Sequence, residues 1–292
     1  MSKYVPDISS RRWVIISPQR INRPEDDFSQ NKKKKLCVFC PGQEKMTPSE
    51  TFRLGKGEKD KPGWRVRVVP NKYPITDLHE VIIHSPDHEK DIDILPLSQV
   101  ELLLKTYRVR YQFFKPKGQV LIFCNHGEHS GASLTHPHSQ LVVIPNQINL
   151  DTLTREPLNN IVEENNFFYV YCPDFSQWPY EVWITPKKEN TFFGEITDEE
   201  IADLAVILQN TLKNLKKISK EYWLNKDGFA YNFYIYPKEN WYMRIIPRLV
   251  HRAGFELGTG LSVNVVDPLI AAEKLKGLEE RMENVLKRLK RY

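Results

Sequence analysis

Apolar residues recur three and four positions apart in two separate stretches of the chain: Val100, Leu103, Leu104, Tyr107, Tyr111, Phe114, and later Ile201, Leu204, Ala205, Leu208, Leu212, Leu215. That spacing lines one side of an α-helix and predicts two helices packed on a sheet. Each stretch carries a helix-start signal, Ser98 with Glu101 and Thr197 with Glu200, in which a hydroxyl and a carboxylate reciprocally satisfy exposed backbone donors. Ahead of each signal stands a similar β-rich segment, His79-Glu-Val-Ile-Ile-His84 before Ser-Pro and Tyr180-Glu-Val-Trp-Ile-Thr185 before Pro186. Behind each helix lie two strand-like runs, 119–124 with 140–145 and 230–236 with 242–247, the second of each pair ending in proline. The chain therefore reads as a duplicated strand-helix-strand-strand unit. With further strand-like runs at 13–16 and 65–69 and a charged helix from about Pro268 onward, the expected fold is α+β. It comprises two tandem halves, 1–150 and 151–292, each an antiparallel sheet with helices packed on one face, with the boundary near 149–160.

Composition narrows the setting more than the fold. The 292 residues suit one large domain or two of average size. No stretch approaches the roughly 20 apolar residues of a membrane span, and the N-terminal segment lacks the apolar core of a signal peptide. The expectation is a cytoplasmic protein with no membrane partner. Forty-two Lys and Arg against 37 Asp and Glu leave a net charge of +5, too slight for a dedicated nucleic-acid binder and suited to an anionic small molecule. The basic run Lys32 to Lys35 reads as a solvated loop, because no aromatic residues interleave with it.

Chemistry concentrates in the first half, which holds seven of the eight histidines. In Thr135-His-Pro-His-Ser-Gln140, alternation along a strand would place His136, His138 and Gln140 on one face, with Pro137 at the strand's start. The preceding loop, including Asn125, Gly131 and Ser133, can turn N–H groups and hydroxyls toward an anion. Imidazoles beside such a loop suggest phosphoryl or nucleotidyl chemistry: a neutral histidine attacks phosphorus, and an amide such as Gln140 donates to the charged oxygens. Cys37-Val-Phe-Cys40 has the spacing of half a zinc site; a redox dithiol or incidental thiols are the other readings. Cys124 and Cys172 sit in apolar runs and read as buried packing residues, so histidines, His88 and one of His136 and His138, would complete the site. Arg20 and Arg23, in a proline-bounded loop, suit a phosphate or a base edge.

Taken together, these residues resemble the galactose-1-phosphate uridylyltransferase family, a branch of the histidine-triad superfamily. The resemblance runs over nearly the whole chain, from Asp7 to Trp13 with Ser17-Pro-Gln-Arg20 and Arg23-Pro24, through His-Pro-His, to Trp178-Pro-Tyr-Glu181 and Gly254-Phe-Glu256. It implies that Cys37, Cys40, His88 and His136 hold one structural Zn2+. It further implies that His138 is the nucleophile that becomes nucleotidylated, and that Gln140, Asn125, Gly131 and Ser133 hold the α-phosphate. Arg20, Arg23 and Asn71 would approach the nucleotide, and Glu256 the hexose.

The run Asn240-Trp-Tyr-Met-Arg-Ile-Ile-Pro247 holds no histidine, so the resemblance does not extend to a second metal; Asn71-Lys72 stands where uridylyltransferases have Asn-Asp. The stretch Gly254-Phe-Glu-Leu-Gly-Thr-Gly260 is closer to ADP-sugar phosphorylase and adenylyltransferase-like relatives. The implied activity is nucleotidyl transfer from a nucleoside diphosphate sugar to a sugar phosphate, with inorganic phosphate or water as alternative acceptors. A homodimer is compatible with this reading. The competing classes are a non-catalytic zinc-stabilised nucleotide-binding module and a nucleic-acid binder.

Overall fold

Ten strands form one continuous antiparallel sheet in a computed structural model of the chain, which describes residues 2–7, 12–23, 36–150, 153–221 and 228–277. The Lys32 to Lys35 run, Pro24 and the part of the expected C-terminal helix beyond 277 lie outside the described residues. A separate hairpin, β1 (Lys3–Asp7) with β2 (Arg12–Ile16), precedes the sheet. The first block contains β3 (Phe52–Gly55), β4 (Trp64–Pro70), β5 (His79–Ile83), β6 (Gln119–His126) and β7 (His138–Ile144). The second contains β8 (Ile161–Glu164), β9 (Phe168–Tyr171), β10 (Val182–Pro186), β11 (Tyr231–Ile235) and β12 (Met243–Pro247).

Their order across the sheet is β3-β4-β5-β7-β6-β11-β12-β10-β9-β8, so the second block repeats the first in mirror order. The two join where β6 pairs with β11, Cys124 opposite Phe233. Pairing at this seam buries what would otherwise be two exposed strand edges.

Both predicted helices form and cover the same face. These are α1 (Leu97–Phe114) and α2 (Asp198–Ser219), and every apolar position named for them is buried. Their side chains share one core with Ile82, Ile122 and Leu141 from the first block and Val182, Ile184 and Ile245 from the second. Lys105 and Arg108 of α1 also pair with Asp198 of α2, tying the helices together at the surface.

Two local expectations are corrected. Thr197 and Glu200 do form a reciprocal capping box. Ser98 and Glu101 do not: α1 starts two residues earlier than a Ser98 cap requires, at Leu97 behind Pro96, so Ser98 already lies inside the first turn and makes no cap bond. Proline's fixed φ and the Pro96 carbonyl, which accepts from Gln99 N–H at 2.8 Å, define that start instead.

The other correction concerns the repeat. The segments beginning His79 and Tyr180 occupy equivalent strands but opposite facings: Val81 packs on the open face with Phe39 and Ile83, whereas Val182 packs in the helix-side core. Glu80 thus meets Arg110 of α1, while Glu181 meets Arg244. A one-residue offset in a strand exchanges its two faces. The duplication holds for topology and not residue by residue.

Two short helices follow the sheet, α3 (Gly254–Thr259) and α4 (Pro268–Leu275). Among the described residues no helix is long and apolar enough to cross a membrane.

Candidate active site

The candidate site residues gather on the face of the first block away from the helices. His138, Gln140 and Val142 alternate along β7, directly beside Ile83, Val81 and His79 of β5. His136 is not part of that row. The strand begins at His138, and His136 lies ahead of it, turned toward the Cys-x-x-Cys turn.

There, Cys37, Cys40, His88 and His136 bring their ligand atoms within 4.8 Å of one another. Sulfur and Nδ1 are separated by 3.7 Å for Cys37 and His136, 3.4 Å for Cys40 and His88, and 3.7 Å for Cys40 and His136. With bonds of about 2.3 Å to sulfur and 2.0–2.1 Å to nitrogen, a tetrahedral ion would set each such edge at about 3.6 Å. The cluster therefore has the size and donor set of a metal site.

The tautomer agrees. His136 Nε2 lies 2.9 Å from the Ser85 carbonyl, which can only accept, so Nε2 carries the proton and Nδ1 is bare toward the thiols. Burial pushes the Cys37 thiol up to about 11, against the pull of the Phe39 N–H, so a stable Cys37 thiolate calls for a cation. The other two cysteines, Cys124 and Cys172, are fully buried in the core.

The same reasoning fixes His138. Its Nδ1 donates to the His136 carbonyl at 2.9 Å, leaving Nε2 with the lone pair. Burial is the main cause that lowers its pKa to about 4, with His84, His126 and Arg23 adding to it and the His136 carbonyl opposing. The ring is thus neutral at physiological pH. Phe39 packs edge-on against it, centroids 5.3 Å apart.

His138 and Gln140 open into a pocket whose walls include Arg20, Arg23, Asn71, Lys72, Tyr73 and Ser133 on the polar side and Val38, Phe39, Met46, Val69 and Leu134 on the apolar side. Three cations and no carboxylate line it among the described residues. Such a pocket favours a ligand with a charged and an apolar end. Arg20 is anchored by donating Nη1–H to the Tyr73 carbonyl at 2.9 Å.

The remaining sequence-predicted residues are placed differently. Gly131, at φ 77°, ends the short turn Glu128–Ser130 in a left-handed conformation that favours glycine, and thereby delivers Ser133 to the pocket. Asn125 faces the seam, accepting from Asn232 Nδ2 at 2.8 Å, and does not line the pocket. Glu256 is also absent from its walls; its carboxylate accepts from Ala253 N–H at 3.0 Å and caps α3.

Residues that the sequence reading passed over include Phe39, Tyr73 and His79. His79 is buried on β5 with its ring against Gln140. The available signal was its parity with Val81 and Ile83, which puts it on the face of His138.

A sheet doubled edge to edge, with a neutral histidine and a Cys/His cluster on the helix-free face of its first block, defines a doubled α+β protein with one candidate site. In sequence and fold the chain is similar to the galactose-1-phosphate uridylyltransferase family. Residues 77–144 match the family model described as galactose-1-phosphate uridyl transferase, N-terminal domain. The ADP-glucose phosphorylase of Arabidopsis thaliana is 27% identical over 322 residues, covering 92% of this chain and 91% of that protein. The galactose-1-phosphate uridylyltransferase of Thermotoga maritima is 26% identical over 312 residues, covering 91% and 95%. In structure, the Arabidopsis ADP-glucose phosphorylase crystallised with ADP-glucose superposes with a TM-score of 0.72 at 24% identity, covering 94% of this chain and 99% of that one. A uridylyltransferase structure gives 0.72 at 22% identity, covering 97% and 99%.

Proposed function

We propose that this protein is a nucleotidyltransferase acting on a nucleoside diphosphate sugar through a covalent nucleotidyl-histidine, of the UDP-glucose–hexose-1-phosphate uridylyltransferase type. One observation carries the reading: His138 is held neutral with Nδ1–H given to a carbonyl and Nε2 unprotonated, in a pocket lined by three cations. The Nε2 lone pair forms a bond to the α-phosphorus as the bond from phosphorus to the bridging oxygen breaks, and the sugar phosphate leaves with that electron pair. A phosphate oxygen of the second substrate then attacks the same phosphorus and returns the pair to Nε2.

In the first step Arg20, Arg23 and Lys72 offset the phosphate charge, Ser133 offers a hydroxyl, and Gln140 donates to a non-bridging oxygen. Zinc is the ion we assign to the Cys37, Cys40, His88, His136 cluster; when bound it stiffens the turn into β7, its four protein ligands leaving no open position for substrate. On this reading residues 1–150 carry the chemistry and 151–292 supply the partner half of the sheet. Four free cysteines suit a reducing compartment such as the cytoplasm. Exposed Phe255, Leu257, Leu261 and Val263 suit a homodimer, which solution mass measurement tests.

A second reading uses the same intermediate with inorganic phosphate as acceptor, making an ADP-sugar phosphorylase. The similarity to the Arabidopsis enzyme over 92% of this chain supports it, as does Lys72 in the pocket wall. One experiment tests the mechanism and separates the readings: incubation with α-phosphate-labelled UDP-glucose or ADP-glucose, singly, followed by assay for acid-labile label on the chain. Label is expected from one donor and absent in His138→Ala. Undiminished label in that variant, or none on the wild type from either donor, refutes the covalent route.

A further inference from the structure

We propose that His79 is a positioning residue that holds the side-chain amide of Gln140 with its amino group toward the pocket. The inference rests on the reading that Gln140 serves the phosphoryl group, and it adds what decides which end of that amide is offered. Gln140 has an acceptor and a donor end of nearly equal shape. Only the amino end stabilises a phosphoryl oxygen; the carbonyl end would repel it. Free rotation about the last torsion would therefore present the wrong atom part of the time.

A backbone group that cannot turn over removes the ambiguity. The N–H of Ile75 donates to His79 Nδ1 at 2.9 Å. Nδ1 must then be unprotonated, so in the neutral ring Nε2 carries the hydrogen. Nε2 lies 2.9 Å from the Gln140 side chain, and a ring nitrogen that donates requires the carbonyl oxygen there. The amino group of Gln140 is left for the pocket that this residue lines.

Asn71 repeats the logic from the other side. Tyr73 N–H donates to Asn71 Oδ1 at 2.8 Å, which turns Nδ2 inward, where it reaches the same Gln140 oxygen at 3.4 Å. The 3.1 Å approach of Asn71 Nδ2 to His79 Nε2 is then two donors side by side around one acceptor. Burial, with Arg20 and His138 nearby, lowers the His79 pKa to about 4, against the Gln140 contact, so the ring keeps one proton at neutral pH. A doubly protonated ring would drive Nδ1–H into the Ile75 N–H.

The test combines a spectroscopic readout with a mutant cycle. Side-chain nitrogen resonances of histidine-labelled protein should identify His79 as the neutral Nε2–H tautomer; the Nδ1–H tautomer overturns the proposal whatever the activity. In single-turnover labelling from the active donor, His79→Asn keeps an acceptor near Nδ1 and loses the Nε2 donor. It should slow nucleotidylation about 10-fold or more, bounded by the 10²–10³ of losing one oxyanion donor, with donor KM nearly unchanged. His79→Gln, whose amide nitrogen reaches the place of Nε2, should restore most of the rate.

In a Gln140→Ala background, His79→Asn should add less than about twofold, because both changes remove one interaction. Effects that multiply, or a His79→Gln variant as slow as His79→Asn, overturn it. If the wild type takes no label from any donor, the nucleotidyltransferase reading fails on its own, and the tautomer still decides the amide orientation.

Discussion

If the Cys37, Cys40, His88, His136 cluster holds a metal as proposed, its removal should loosen β7, the strand that starts at His138, as well as the 37–40 turn. The cluster draws on three segments far apart in sequence: the 37–40 turn, the stretch after β5, and the residue before Pro137. Its sulfur-to-nitrogen edges of 3.4 to 3.7 Å already match a tetrahedral ion, so binding needs little reorganisation. A ligand held only by the folded state at 100 times its Kd adds about 2.7 kcal/mol. For a chain of this size each kcal/mol moves Tm by about 2–4 °C, so chelation should lower Tm by roughly 5–10 °C.

The same loss should reach His138, whose Nδ1 donates to the carbonyl of His136, a member of that cluster. Metal content, melting temperature and labelling rate should fall together on chelation and return together when zinc is restored. Cys37→Ser should behave like chelated wild type, whereas Cys172→Ala, altering a buried packing residue, should keep its metal. Metal-free protein that melts and reacts like the untreated enzyme would refute both the structural role and its link to the strand.

Other consequences are separable. Thr197→Ala removes a formed cap and should cost about 1 kcal/mol, while Ser98→Ala, at an exposed site with no cap bond, should stay within about 0.5 kcal/mol in thermal melts. Equal effects would restore the capping role denied to Ser98. Arg110→Met leaves Glu80 without the guanidinium that binds it at 2.7 and 2.9 Å, and should cost about 3–5 kcal/mol by denaturant titration. A loss under about 1 kcal/mol would mean that Glu80 is neutral or hydrated there.

The His79 pKa is lowered from 6.5 to about 4, chiefly by burial, so the unfolded chain binds the extra proton first. Stability from this group is full above pH 6.5 and declines as pH falls toward 4, by about 3 kcal/mol in all. His79→Gln should show a shallower loss over that window in denaturant midpoints, and an unchanged slope would contradict the burial argument.

How much of this was legible in the sequence depended on range. The 3-and-4 spacing of α1 and α2 and the strand-forming runs are local and came through, as did the grouping of Cys37 and Cys40 in a cluster able to bind a metal. What pairs with what is not local. Periodicity placed β6 and β11 as strands but held no information that their edges meet, because that seam is closed by a shared helix-side core. Glu256 illustrates a different limit. A glutamate three residues into a helix can satisfy its own N-terminus, and this one does, so residue type and position could not say where its carboxylate would point. His79 was hidden because its significance lies in a tautomer set by the Ile75 backbone, four residues away in a loop.

The uneven distribution of histidines was legible, and the structure gives it a physical reason. On the uncovered face of the second block Trp183 stacks on Tyr242 at 4.1 Å, Tyr242 stacks on Tyr236 at 4.9 Å, and Arg244 is bound to Glu181 at 2.7 Å. Those rings are buried against one another, so little open volume is left on that face. The corresponding face of the first block holds a neutral imidazole, the Gln140 amide and three cations around open volume, with no carboxylate in the pocket wall among the described residues. One block fills its face with its own side chains, and the other keeps a pocket open.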